Sequence, residues 1–190
     1  MGGGHGFPEG LTTMTDDTQD TENAAPAVST KAQDASVAGR IFLVVVDATE
    51  EMRVALRFAC RRAQRTGGRL ALLFVMEPAD FQHFMAVEEK MREERRAEAE
   101  RALQGFAAEV NTLTGTMPVL HVREGDPIDV IEALIEEEPG IAILVLGAGT
   151  GKKGPGPLVS SLAGKLSGKF PIPITVVPGS FTDDQIDALT

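Results

Sequence analysis

Five short apolar runs are spaced along the chain: residues 40–46 (RIFLVVV), 69–75 (RLALLFV), 119–122 (VLHV), 141–146 (IAILVL) and 174–177 (ITVV). Most are apolar without alternation and rich in Val, Ile and Leu, which suits parallel strands covered on both faces. Between them, apolar residues recur at intervals of three and four, the period of a helix with one buried side. One such stripe is Met52, Ala55, Leu56, Ala59 and Ala63, a second Ile128, Ile131, Leu134 and Ile135, and a third Val159, Leu162, Ala163 and Leu166. A longer helix is predicted over 81–113, with Phe84, Met91, Leu103, Phe106 and Val110 apolar. From Glu88 to Arg101 its acids and bases alternate at helical pair spacing, as on a solvated face. The alternation of strand and helix predicts the α/β class: a doubly wound five-stranded parallel sheet, order 3-2-1-4-5, with helices on both faces.

Capping residues fall where this reading needs them. Thr49 followed by Glu50 and Glu51 starts the first helix, and Gly67-Gly68 stops it. Asp126 stands at an N-cap with Pro127 at the first helical position, and Pro139-Gly140 closes that helix. Residues 1–39 hold few large apolar side chains and are expected to form a disordered tail. Residues 40–178 make one α/β domain. Residues 179–190 are a short acidic tail able to form a helical turn.

The candidate chemistry lies in GAGTGKKGPGPLVSS, which joins the fourth run to the third amphipathic stripe. Gly147, Gly149, Gly151, Gly154 and Gly156 permit close approach of a ligand to the backbone. Ser160 and Ser161 fall in the first turn of the helix, where free N–H groups favour an anion. A loop leaving a strand's carboxyl end for a helix is where open α/β sheets bind ligands; the plainer reading is a loop that turns a corner. Lys152 and Lys153 could add charge for phosphates or stand in solvent. The loop lacks the Gly-Lys-Ser/Thr of a Walker motif, and its GxGxxG match is followed by Pro155 and Pro157 rather than a helix. Asp47, ending the first run, has two readings: contact with a ligand's ribose or base edge, or a cap for the next helix. Cys60 is read as a buried small hydrophobe, and His83 and His121 as packing or surface residues.

Charge narrows the partners. A net charge of −10 argues against nucleic acid or an anionic membrane, both of which require a basic face. No run of about 18 apolar residues is present to span a bilayer, and no basic segment precedes an apolar one as in a secretory signal. A cytoplasmic protein is expected. No nucleophile–base pair is apparent, so turnover is expected to be weak or absent.

Three segments, VVVDATE, EGDP and LVLGAGTGKKGPGPLVSSLAGKL through IPITVVP, resemble the universal stress protein family over about residues 40–178. ATP-binding members of that family follow strand four with Gly, two residues, Gly, nine residues, then Gly-Ser/Thr. Gly147 matches the first glycine and Ser161 the hydroxyl; Thr150 and Ser160 replace the other two glycines, and a one-residue shift would use Gly151 instead. The resemblance implies a cytoplasmic stress-response protein that binds ATP with Mg2+, or another adenine nucleotide, as a regulatory module. It places Val46, Asp47 and Val75 against base and ribose, and Gly147, Ser160, Ser161 and the Leu162 N–H on the phosphates. It also implies a homodimer paired through the last strand. The alternatives are a dimeric interaction module that binds no nucleotide and a slow ATPase.

Overall fold

A computed structural model describes residues 39–78 and 85–190, apart from Lys153 and Ser167. All but Gly39 of the expected tail over residues 1–39, the expected helix start at Phe81, and His83, Phe84 and Lys153 lie outside the described residues. The strands are β1 (Ile41–Val45), β2 (Arg69–Met76), β3 (Val119–Glu124), β4 (Ile141–Ala148) and β5 (Ile174–Pro178). The helices are α1 (Glu50–Thr66), α2 (Met85–Thr114), α3 (Pro127–Glu137), α4 (Pro157–Ser160, continued by a π-helical turn over Ser161–Lys165) and α5 (Asp183–Leu189). The sheet is parallel with the order β3-β2-β1-β4-β5, as the sequence pattern predicts.

β1 lies at the centre, and alternate side chains enter opposite cores. Phe42, Val44 and Val46 pack with Leu56, Ala59 and Cys60 of α1 and Leu103 and Val110 of α2. Ile41 and Leu43 pack with Ile131 and Leu134 of α3 and Leu162. Every member of the α1 stripe is buried. Thr49 caps that helix by accepting the Met52 N–H, and Gly67 ends it at φ 68°. Asp126 caps α3 through the amides of Ile128 and Asp129.

Two helical expectations change. Met91 is 38% exposed, because burial along α2 begins only at Ala99 among the residues whose side chains are described. After Ser160, Leu166 donates to the Ser161 carbonyl, a wider i+5 turn. The extra residue rotates the expected stripe, leaving Ala163 exposed while Leu162 remains buried.

The acidic C-terminal segment is more ordered than one loose turn. Thr182 and Gln185 form a reciprocal capping box at the start of α5. Ile186 is fully buried, and α5 docks on α1 through ion pairs from Arg57 to Asp183 and from Arg57 and Arg61 to Asp187.

Candidate functional site

The strand order reverses between β1 and β4, and the connections from their carboxyl ends diverge to α1 and α4. This topology opens a crevice at the carboxyl end of the sheet. A cleft of about 450 Å³ occupies it, within the range of small-molecule sites. Its walls are apolar: Val45, Val46, Val75, Ile128, Leu146, Leu158 and Val159. Its polar groups come from five places in the chain: Asp47 and Thr49 after β1, Glu51 in α1, Glu77 after β2, Asp126 before α3, and Ser161.

The cleft therefore gathers Val46, Asp47, Val75, Gly147 and Ser161 from the nine sequence-derived candidates. Thr150 and Gly151 are exposed on the loop and do not line it. Ser160 is exposed, and its hydroxyl donates to the Gly156 carbonyl at 2.8 Å. Leu162 is fully buried in the core beside α3 and β4. Lys152 is exposed and also stands off the walls.

Local packing explains several of these positions. Gly147 lies under the first turn of α1: a Cβ there would come within 2.3 Å of the Glu51 carbonyl oxygen and 2.9 Å of the Met52 nitrogen. Its lack of a side chain is thus required for helix-on-strand packing. The glycine loop folds back on itself, with Gly149 donating to Pro155 and Gly154 to Gly151, while Gly154 and Gly156 take φ 79° and 97°. Pro155, Gly156 and Pro157, rather than the Thr150 region, reach the cleft. Asp47 lines the cleft and accepts both the amide and the hydroxyl of Thr49, so it braces the residue that caps α1 and does not cap the helix itself.

Sequence reasoning missed Thr49, Glu51, Glu77 and Asp126 as cleft residues. Each follows a strand end or begins a helix at the same end of the sheet, and that position was the available signal. Among the described residues, the cleft lining contains four acidic residues, Asp47, Glu51, Glu77 and Asp126, and no Lys or Arg. Among the described residues, no group of His, Cys, Asp or Glu is arranged to hold a metal ion. The strongly perturbed side chains lie elsewhere. Burial, reinforced by Glu109, pushes the Cys60 thiol up to about 12, which keeps it protonated and unreactive.

A parallel sheet with this order and a cleft at its reversal defines a doubly wound α/β domain. The sequence model of the Universal stress protein family matches residues 39–178, and the chain belongs to that family. No curated protein matches it. Among solved structures, universal stress protein UspA from Lactobacillus plantarum is 25% identical, with a TM-score of 0.59, covering 73% of this chain and 97% of that one. A universal stress protein in complex with cAMP is 15% identical (TM-score 0.52; 74% and 98% covered). A family protein from Arabidopsis thaliana with AMP bound is 16% identical (TM-score 0.53; 73% and 91% covered). These last two share the fold. Among the described residues, no helix is long and apolar enough to cross a membrane.

Proposed function

We propose that the protein binds an adenine nucleotide in this cleft and works in the cytoplasm as a nucleotide-dependent regulatory module. The observation that carries the reading is the convergence of Val46, Asp47, Val75, Gly147 and Ser161 on one cavity at the sheet reversal. In this reading the base and ribose lie against Val46, Asp47 and Val75, and the phosphates lie toward Ser161 and the Pro155-Gly156-Pro157 turn. The AMP and cAMP held by two proteins of the same fold support the ligand class. ATP enters with Mg2+, which accompanies the nucleotide. We further propose a homodimer through β5, an edge strand whose exposed Val176 carries no charge.

Calorimetry with AMP and with ATP plus magnesium tests the ligand, since the chain has no Trp or Tyr to report binding. Ser161→Asp places a negative charge where phosphates would rest and should weaken binding on the order of 100-fold. Equal binding by wild type and Ser161→Asp would put the phosphates elsewhere. No binding of either nucleotide at millimolar concentration would favour an interaction module.

A further inference from the structure

We infer that Glu51 makes the cleft selective for nucleotide charge: it accepts adenine nucleotides of low charge and excludes free triphosphate unless a divalent cation accompanies it. This inference rests on the adenine-nucleotide reading of the cleft.

Glu51 is built into the base of the glycine loop. A Cβ on Gly179 would stand 2.7 Å from the Glu51 Cβ, and a Cβ on Gly149 would stand 3.0 Å from its Oε1. The two glycines leave room for the Glu51 side chain, and its carboxylate abuts the loop where β4 ends. Among the described residues, Glu51 takes part in no ion pair. Of the three other cleft acids, Asp47 accepts from Thr49, Asp126 accepts from the amides that open α3, and the Glu77 carbonyl accepts from Arg95. Within a cleft with apolar walls, like charges repel more strongly than in open water. A free ATP molecule would bring its several negative charges toward this carboxylate, and among the described residues no Lys or Arg lines the walls. AMP carries far less charge, adenosine none, and magnesium bound to ATP cancels much of it.

Calorimetry of the full chain with adenosine, AMP and ATP, each with EDTA or with magnesium, reads the selection directly. Wild type should bind adenosine and AMP in both conditions, and ATP in EDTA about tenfold or more weakly than ATP with magnesium. Within each protein, the ratio of ATP affinity in EDTA to adenosine affinity is the diagnostic quantity. Glu51→Gln should raise that ratio about tenfold. Asp126→Asn, which keeps a capping side chain, should raise it in the same direction and serves if the first variant misfolds. Wild type binding free ATP as tightly as its magnesium complex would overturn the inference, as would an unchanged ratio in both variants. If adenosine and AMP bind but the ATP results run the other way, only the charge rule falls. If none of the three ligands binds, the nucleotide reading falls with it.

Discussion

Gly147 illustrates how a motif residue can be required for packing. Its pro-Cβ direction meets the α1 backbone rather than a flexible side chain, so relief requires moving the helix. Gly147→Ala should therefore destabilise the domain by about 2–3 kcal/mol, read as a lower urea midpoint. An unchanged midpoint would mean that α1 shifts freely. His121 gives a second test at this scale. It is buried on β3, with Nε2 3.3 Å from a Glu138 carboxylate oxygen but without a hydrogen bond. Burial lowers its pKa below the ordinary 6.5, and the opposing pull of Glu138 does not overcome it. The unfolded chain then takes up the proton first. The stability due to neutral His121 is complete above pH about 6.5 and is lost as pH falls toward the lower native value. Wild type should have a lower urea midpoint at pH about 5.5 than at about 7.5, and His121→Gln should narrow that difference. A midpoint that is the same at both pH values in wild type would refute this account.

At the scale of elements, α5 separates apolar burial from surface charge. The family match ends at residue 178, so α5 is an addition to the matched domain. The guanidinium of Arg61, followed by that of Arg57, holds the Asp187 carboxyl below its ordinary range, but the pair is open to solvent. Screening makes such pairs weak. Ile186, by contrast, is 0% exposed. Ile186→Ala should cost about 2–4 kcal/mol, whereas Asp187→Asn should change the thermal midpoint much less. The reverse order of effects would make the ion pairs the true clamp. The five strands and the caps at Thr49 and Asp126 were legible in the sequence because each rests on local patterning that tertiary packing reinforces. The turn after Ser160 was not. Stripe counting assumes a period of 3.6 throughout, and one i+5 hydrogen bond from Leu166 to Ser161 breaks that phase. The site was legible in part for a related reason. Strand ends announce themselves locally, so Asp47 and Gly147 could be placed, and the family resemblance added Val46 and Val75, whereas the direction of a long glycine loop depends on hydrogen bonds within it. Those bonds bring the 155–157 turn to the cleft and leave Thr150 and Gly151 outside.

At the scale of the whole domain, the sheet has two edges, and their chemistry differs. β3 ends the sheet on one side and carries Arg123 and Glu124 beside the buried His121. Charges on an edge discourage pairing with another strand. β5 ends the other side with Ile174, Thr175, Val176 and Val177, none of them charged, and Val176 is 36% exposed. An uncharged edge with free backbone groups is a template for a second copy, and a two-fold axis would let the two β5 strands satisfy each other. Light scattering at micromolar concentration should therefore give a dimer mass for wild type. Val176→Lys places a charge on that edge at an exposed position, so the fold should survive while the dimer dissociates to monomers. Circular dichroism and the urea midpoint would confirm that the variant remains folded. A wild type that is monomeric at micromolar concentration would remove the dimer, and a Val176→Lys protein that stays dimeric would place the interface on another surface.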